Sequence, residues 1–347
     1  MNVPGGSAAR RLGGSATRPW WGAGAWIGAL ALFTPVPLAA QDTIPFRAFS
    51  PTTETTRYPV RELARGVYAV LGDSGQGVEG RPNAGFVETR EGIVAVGGLA
   101  SPAQARAVLR TIRDVSRRPI RALVLHAHHP DMMFGAIEFR RAGARIVAHP
   151  DTRVLAGDAG PDAMVADWDR VVGLQELLGF EFANTPDQPV TGWDTLRLGG
   201  RTLVVLHPGP AHSNGDLMLW LPEERVLFAG DILVEDGVTM VVDGRSAILL
   251  RTLDLIDSLA PRVIVPGHGR IPAEPRALVA TTRQYVVALR DSMAAEVRRG
   301  TPMRRAVGAY PPPDGRRPVA LNSRIRRNAA RVFLEMEREA LGMEESE

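Results

Sequence analysis

Histidines in this 347-residue chain stand where they could act together as ligands. The sequence contains seven histidines, and six of them fall into three clusters that each follow a short apolar run typical of a buried strand. The clusters are His126, His128 and His129; His207 and His212; and His268. Loops after strand ends form the ligand crevice in layered α/β proteins, so these histidines are predicted to converge.

Two carboxylates occupy the same kind of position. Asp131 follows the first histidine cluster by two residues, and Asp231 ends the apolar run Leu227-Phe228-Ala229-Gly230-Asp231. A buried acid without a partner is costly, so Asp231 requires one. The chain has no cysteine, which excludes thiolate ligands. Imidazoles with carboxylates suit Zn²⁺, with Fe or Mn as alternatives, and two such ions sharing an acid form a hydrolytic centre.

The elements that must position these residues alternate between strands and helices. Residues 66–96 contain three strand-like segments separated by turn signals, which predicts an antiparallel β opening. Ser101-Pro102 begins a predicted helix, and a buried strand is predicted at 122–125 directly after it. A helix followed by a buried strand indicates a βαβ crossover, and therefore a layered α/β fold.

Further strands and helices continue this pattern to the end of the chain. A helix is predicted near 133–142, followed by a strand at 144–148. The later predicted elements are strands at 195–198, 202–206, 217–221, 226–229 and 262–265, and helices at 246–259, 274–298 and 321–341. Two β-rich halves that each carry helices predict one αββα four-layer sandwich over residues 60–300, with a helical C-terminal extension over 301–347.

Four short motifs occur in order along the chain. They are His129-Pro130-Asp131 with Gly135, Gly209-Pro210-Ala211-His212-Ser213-Asn214-Gly215-Asp216, Phe228-Ala229-Gly230-Asp231, and Pro266-Gly267-His268-Gly269. Together they resemble the metallo-β-lactamase superfamily, in its branch of quinoprotein-associated and sulfur-oxidation-associated zinc metallohydrolases. Each motif alone is weakly specific, whereas four in sequence are strongly specific. The resemblance implies the αββα metallo-β-lactamase fold and a two-metal hydrolase site.

The family's leading motif is H-x-H-x-D-H, and this sequence departs from it. When Pro130, Asp131 and Gly135 are aligned with the family without a gap, the first and last motif histidines fall on Ala127 and Met132. The predicted site has therefore lost two of the histidines that the family normally carries. Metal affinity is expected to be lower as a result.

The ungapped alignment still carries five ligands over from the family. The resemblance assigns His129 and His212 to the first metal, Asp131 and His268 to the second, and Asp231 to both. Each ion would keep three protein ligands, which is a workable open catalytic site. Asp131 is also the candidate catalytic residue, which would orient the attacking water or act as general base if only the first site is filled.

Neighbouring histidines offer an alternative ligand set. Along an extended strand, His126 and His128 face one side while Ala127 and His129 face the other. A one-residue β-bulge would exchange the two faces and restore an H-x-H pair at His126 and His128. These two histidines are therefore candidate substitute ligands.

Four further residues that could line the site also have a purely structural explanation. His149 is either a surface residue or a further substitute ligand, and His207 is interpreted as a supporting or structural residue. Asp216 is interpreted as an acid that braces its turn. Trp168 and the loop over 75–80 would line the substrate cleft, with a plain core role as the alternative for Trp168.

Charge and motif context argue against two other partner classes. All 41 basic residues are arginine, and three of them lie in residues 1–40, which leaves 38 arginines against 38 acidic residues. This balance does not imply a nucleic-acid partner.

A glycine-rich segment matches the dinucleotide-binding pattern G-x-G-x-x-G, namely Gly75-Gln76-Gly77-Val78-Glu79-Gly80. The residues that follow it, Arg81-Pro82-Asn83, do not begin a helix as that pattern requires, so a hairpin loop is preferred to a dinucleotide site.

The first forty residues are typical of an export signal. Arg10, Arg11 and Arg18 precede an apolar run, and Leu38-Ala39-Ala40 offers small residues for cleavage before Gln41. Residues 41–59 are rich in threonine and proline, which predicts a linker or arm. We therefore expect a periplasmic or secreted protein with no stable membrane insertion after signal cleavage.

The combined sequence features predict a metal-dependent hydrolase. The expected chemistry is attack of a metal-bound hydroxide on a carbonyl, ester or related centre of a small-molecule substrate. The alternative is a catalytically inactive periplasmic binding or accessory protein that keeps the fold. Substrate choice resides in loops, so the sequence leaves the substrate open.

Overall fold

Two β-sheets stack face to face, and branched apolar side chains fill the space between them. The computed structural model describes residues 51–73, 81–153, 160–235, 237–311 and 319–343. Val87, Val94 and Val124 of one sheet and Leu219 and Phe228 of the other form part of one core cluster and are at most 1% exposed. The predicted signal peptide at 1–40 and the predicted loop at 75–80 lie outside the described residues.

The first sheet follows the order of the chain. Its strands in the described residues are β1 (Val60–Ala64), β2 (Val67–Val70), β3 (Ala84–Thr89), β4 (Gly92–Val96), β5 (Ile120–Val124), β6 (Arg145–Ala148) and β7 (Gln188–Pro189). The pairs from β1 to β4 are antiparallel, and the pairs from β4 to β7 are parallel. The parallel part brings the carboxyl ends of β5 and β6 to the same edge.

The second sheet begins as an antiparallel meander and ends with a parallel strand. In spatial order its described strands are β12 (Val263–His268), β11 (Val226–Val234), β10 (Met218–Leu221), β9 (Arg201–Leu206) and β8 (Trp193–Leu198). The strand β12 runs parallel to β11, and the other neighbouring pairs are antiparallel. All nine residues of β11 are buried, as expected for a central strand that is covered on both faces.

Helices cover the outer faces of both sheets. The described α-helices are α1 (Pro102–Val115), α2 (Pro130–Met133), α3 (Ala136–Arg141), α4 (Gly160–Val172), α5 (Leu174–Leu177), α6 (Ser246–Leu259), α7 (Pro275–Arg298), α8 (Met303–Ala309) and α9 (Val319–Ala340), with a 3-10 helix at Pro150–Arg153. Ile112 of α1 packs with Leu123 on the first sheet, and Leu253 of α6 packs with Leu227 on the second. The predicted αββα four-layer sandwich is confirmed.

The predicted helix near 133–142 corresponds to α3, and the separate short helix α2 precedes it with a break at residues 134–135. The backbone N–H of Gly135, between them, donates to the carbonyl of Leu99 at 3.0 Å. A Cβ atom at Gly135 would lie 2.5 Å from the carbonyl oxygen of Gly98. The break therefore comes from close packing against residues 98 and 99, which local periodicity does not reveal.

The C-terminal helix α9 is part of the second outer layer. Its side chains Val332, Phe333 and Met336 are buried in the same cluster as Leu253 and Val286. The boundary drawn at residue 300 between the domain and its helical extension stays a prediction. None of the helices in the described ranges is long and apolar enough to span a membrane.

Candidate metal centre

The five predicted ligands come together where strands of the two sheets end. His129 follows β5, and Asp131 lies in the first turn of α2, which Pro130 begins. His212 lies in the loop between β9 and β10, Asp231 lies within β11, and His268 is the last residue of β12. The sandwich therefore brings together residues that are distant in sequence. His129 and His268, the first and last of the five, are 139 positions apart.

The first group of ligand-type atoms consists of His129, His212 and Asp231. His129 Nδ1 and His212 Nε2 are 2.8 Å apart. His212 Nε2 is 3.6 Å from Asp231 Oδ2. One atom from each of the three side chains lies within 4.8 Å of the others. This is the set predicted for the first metal.

The second group consists of Asp131, His268 and, again, Asp231. His268 Nε2 donates a hydrogen bond to Asp131 Oδ2 at 3.0 Å and lies 3.6 Å from Asp231 Oδ1. These ligand atoms also lie within 4.8 Å of one another. Asp231 therefore presents one oxygen to each group, which is the arrangement that a shared ligand requires.

The surroundings of these side chains fit a metal pair. Asp231 Oδ1 is buried and accepts no hydrogen bond from the described residues, which is costly unless a cation compensates it. Tetrahedral bonds of about 2.0–2.2 Å place ligand atoms roughly 3.3–3.6 Å apart, close to the 3.6 Å that separates each histidine from Asp231. The other two separations, 2.8 Å between His129 and His212 and 3.0 Å between His268 and Asp131, are hydrogen-bond distances that would lengthen on metal binding. The donor atoms themselves, imidazole nitrogens and carboxylate oxygens, suit divalent ions at both groups.

The two histidines of the first group are held by hydrogen bonds on the far side of each ring. His212 Nδ1 donates to the carbonyl of Met240 at 2.8 Å, which leaves Nε2 directed into the site. His129 Nε2 donates to Asp243 Oδ2 at 2.9 Å, which leaves Nδ1 directed into the site. Metal-binding histidines usually donate their second N–H to a carbonyl or carboxylate in this way.

An irregular register in β11 and a glycine in β12 position the shared acid. The pairing of β11 with β12 shifts at Gly230, whose φ is +56°. Such bulges often redirect a side chain beside an active site. On β12, a Cβ atom at Gly267 would lie 2.0 Å from Asp231 Oδ1. The glycine of the Pro-Gly-His motif thus makes room for the carboxylate.

Burial and neighbouring charges shift the pKa values of the site residues. Burial, with the negative charge of Asp131, raises the pKa of Asp231 to about 7. Burial and the neighbouring positive charge of His129 lower the pKa of His212 to about 3. Burial also acts to lower the pKa of His129, but the hydrogen bond to Asp243 and the nearby carboxylates outweigh it and raise the value to about 8. A bound cation would favour the ionised carboxylate that burial alone disfavours.

Asp243 is a site residue that the sequence did not single out. It lies between β11 and α6 and does not follow a predicted strand. The bond with His129 lowers the pKa of Asp243 to about 2. His128, His129 and Asp243 also form a third group of ligand-type atoms within 4.8 Å. No local pattern marks Asp243, because its contact with His129 joins residues 114 positions apart.

The histidines proposed as substitutes lie beside the two central groups. His126 is buried, and its Nδ1 donates to the carbonyl of Leu217 at 2.8 Å. His128 belongs to the group with Asp243, and its Nδ1 is buried with no hydrogen-bond partner in the described residues. Among those residues, neither histidine joins a group that contains Asp231. The geometry thus favours His129 over the bulged alternative, while metal coordination itself stays a prediction.

The remaining polar residues have structural contacts. The ring of His149 stacks on that of His207 at 4.1 Å, and His207 Nδ1 donates to the carbonyl of Asp216 at 2.8 Å. Asp216 accepts hydrogen bonds from the backbone N–H groups of residues 211–213, so it braces the turn that carries His212. Trp168 Nε1 donates to the carbonyl of Ala100 at 2.8 Å in the outer helical layer.

Comparisons with known proteins identify the family of this chain. The sequence model of the metallo-beta-lactamase superfamily matches residues 77–268. A hydroxyacylglutathione hydrolase from Methylobacterium nodulans is 30% identical over 201 residues, which cover 56% of this chain and 67% of that protein. A human acyl-coenzyme A thioesterase is 27% identical over 168 residues, which cover 45% of this chain and 58% of that protein.

A solved structure supports the same architecture. A metallo-beta-lactamase family protein from Thermus thermophilus superimposes with a TM-score of 0.60 at 20% identity. The superposition covers 80% of this chain and 95% of that one. At this level of identity the likeness concerns the fold. The segments that match the two curated relatives cover only about half of this chain. The activities of those relatives are therefore not assigned to this chain by similarity alone.

Proposed function

The chain belongs to the metallo-beta-lactamase superfamily, and from that premise we propose that it is a metal-dependent hydrolase acting on a thioester or a related carbonyl ester. One observation carries the proposal: two histidine and aspartate groups share the buried carboxylate of Asp231. Shared acids of this kind are typical of two-metal hydrolytic centres. Zn²⁺ is the preferred ion, and Fe or Mn are alternatives.

Five side chains would hold the metals. His129, His212 and Asp231 would bind the first ion, and Asp131, His268 and Asp231 the second. When bound, such ions polarise a carbonyl oxygen and lower the pKa of water. With three protein ligands each, both positions would remain open to water and substrate.

Asp131 is the proposed catalytic residue of the protein itself. Its side chain is 22% exposed, against 7% for Asp231, so it is the more accessible of the two carboxylates. Burial acts to raise the pKa of Asp131, but the hydrogen bond and charge of His268 outweigh it and lower the pKa. An ionised Asp131 can hold a water molecule by its hydrogen atoms, or accept a proton from it if only the first metal is present.

The thioester class is proposed from the relatives together with the site. Proteins named as acyl-coenzyme A thioesterase and as atrochrysone carboxyl ACP thioesterase are 27% and 25% identical to this chain over their matched segments. A thioester presents the polarisable carbonyl that such a site attacks. β-Lactams, lactones and phosphodiesters serve as competing classes, because loops decide substrate choice in this fold.

The test combines metal analysis with a substrate panel. Purified protein should contain one or two equivalents of zinc, iron or manganese per chain, and it should hydrolyse an acyl thioester faster than a β-lactam, a lactone or a phosphodiester. Chelator treatment and the Asp231→Ala variant should each abolish the activity. The proposal would be overturned if the purified protein contained no metal and also failed to bind added zinc. Bound metal without turnover of any panel member would favour the binding or accessory protein instead.

A further inference from the structure

Four arginine side chains converge on a cleft at the other end of the first sheet. The cleft encloses about 470 Å³ and is lined by Arg90, Glu91, Arg118, Pro119, Arg121, Arg145 and Leu198. Arg121 and Arg145 lie at the amino ends of β5 and β6. His129 and Asp131 of the candidate metal centre follow the opposite, carboxyl end of β5, and none of the five candidate ligands lines the cleft.

Backbone carbonyl groups hold three of these arginines in place. Arg90 Nε donates to the carbonyl of Gly199 at 3.1 Å. Arg118 Nη1 donates to the carbonyl of Arg90 at 2.9 Å, and Arg121 Nε donates to the carbonyl of Glu91 at 2.9 Å. A guanidinium group carries five N–H donors, so each arginine retains donors for a ligand after making its anchoring bond.

Two glycines make room for the arginine side chains. A Cβ atom at Gly92 would lie 2.5 Å from Cγ of Arg121, and one at Gly200 would lie 2.4 Å from Nη2 of Arg90. Both residues also have positive φ values, of +146° and +82°. The aliphatic part of the Arg121 side chain thus packs against Gly92, and the guanidinium group of Arg90 packs against Gly200.

The positive charge of the cleft is not matched by acids. Glu91 is the acidic residue in its lining, and its Oε1 accepts a hydrogen bond from the backbone N–H of Gly199. Within the described part of the chain, none of the four arginines forms an ion pair. Exposed arginines elsewhere do, such as Arg57 with Asp114 at 2.7 Å. Four like charges around one cleft create a positive potential that attracts anions.

We propose that this cleft binds a small ligand that carries a phosphate or pyrophosphate group. Guanidinium groups recognise phosphate oxygens with paired, charge-assisted hydrogen bonds. The anchored arginines lose little conformational freedom on binding, which favours affinity.

The experiment measures binding of inorganic pyrophosphate to the full-length protein by calorimetry at low ionic strength. The double variant Arg118→Gln/Arg145→Gln should bind roughly tenfold more weakly or worse, because charge-assisted hydrogen bonds are lost. Arg304→Gln/Arg305→Gln is the matched control, since it removes two exposed arginine charges from α8. This control should bind as the wild type does. The single variant Arg145→Gln is measured as well and should also bind pyrophosphate more weakly. It is expected to fold normally, because the Arg145 side chain is exposed at the start of β6.

Three outcomes would overturn the proposal. One is the absence of pyrophosphate binding by the wild-type protein. Another is equal weakening in the cleft variant and the α8 control, which would indicate general charge attraction. The third is full retention of binding in the Arg118→Gln/Arg145→Gln variant, which would place the ligand elsewhere, including at the metal centre. A melting temperature equal to that of the wild type would show that each variant is folded.

Discussion

His129 Nε2 donates a hydrogen bond to Asp243 Oδ2 at 2.9 Å, while Nδ1 of the same ring faces His212 Nε2 at 2.8 Å. The carboxylate thus fixes both the orientation of the ring and the nitrogen that carries the outer proton. A ligand fixed in this way binds metal more tightly, because less freedom is lost on coordination. We therefore expect Asp243 to act as a positioning residue for a metal at the first group.

Replacing Asp243 should weaken metal binding without removing a ligand of either central group. Asp243→Ala is expected to lower zinc affinity by roughly tenfold to a hundredfold, as is usual for such supporting groups. A competition titration with a chromophoric chelator would measure this. Asp167→Ala, which removes an exposed acid from α4, is the control and should leave affinity unchanged. Equal affinities in all three proteins would contradict the positioning role.

Asp231→Ala should abolish bound metal and lower the melting temperature together. The variant removes the carboxylate that faces both groups, and with it the stabilisation that bound metal lends the fold. Metal content by elemental analysis and a thermal melt would be measured on the same sample. The difference in melting temperature should shrink when both proteins are treated with chelator. Unchanged metal content would show that Asp231 is not the shared ligand.

Gly267→Ala should disturb the metal centre by steric contact alone. Its Cβ atom would lie 2.0 Å from Asp231 Oδ1, so the carboxylate must move. We expect zinc affinity to fall by at least roughly tenfold, the lower range for losses of supporting structure. Gly192→Ala is the matched control, since a Cβ atom there meets nothing within 4 Å. The steric explanation fails if the two alanine variants bind zinc equally well.

Introducing histidine at positions 127 and 132 tests the ungapped alignment of the motif. In that alignment Ala127 and Met132 stand where the family has histidines, and both residues are at most 1% exposed. Ala127→His with Met132→His should supply a fourth ligand to each ion and tighten metal binding. In the ungapped arrangement His129→Ala should strip the first metal, whereas His126→Ala should not. Loss of metal from His126→Ala alone would support the bulged arrangement instead.

The helix α9 should support the candidate metal centre through Asn328, although none of the five candidate ligands lies on this helix. Asn328 is fully buried, and its Oδ1 accepts from the backbone N–H of Val241 while its Nδ2 donates to the carbonyl of Thr239, both at 2.9 Å. These bonds hold the segment that carries Met240 and Asp243. Asn328→Ala should lower the free energy of unfolding by about 1–3 kcal/mol, because a buried N–H loses its partner.

The same variant should also weaken zinc binding, because the carbonyl of Met240 and the carboxylate of Asp243 both orient histidines of the first group. Glu337→Ala, at an exposed position of the same helix, is the control for helix stability. Denaturant unfolding and the zinc titration would be compared for the three proteins. A stable variant with normal zinc affinity would show that α9 does not support the site.

The fold class and the types of ligand could be predicted from local sequence features. The apolar run from residue 226 predicted a buried strand, although β11 extends to Val234 and so contains Asp231, and a helix before the β5 segment predicted the crossover. The absence of cysteine limited the ligands to imidazole and carboxylate. These features are local, since they depend on residue type and on spacing within one element. The choice of the five candidate ligands among these residues came from the resemblance of the four motifs to the metallo-β-lactamase superfamily.

The contacts among the candidate ligands could be known only from the folded structure. It brought His129 rather than His126 to His212 and Asp231, and it supplied Asp243 as the partner of His129. It also showed that Gly267 makes room for Asp231. Each of these contacts joins segments that are distant in sequence. They depend on how two sheets pack and where a strand bulges, and such packing leaves no periodic trace in the chain.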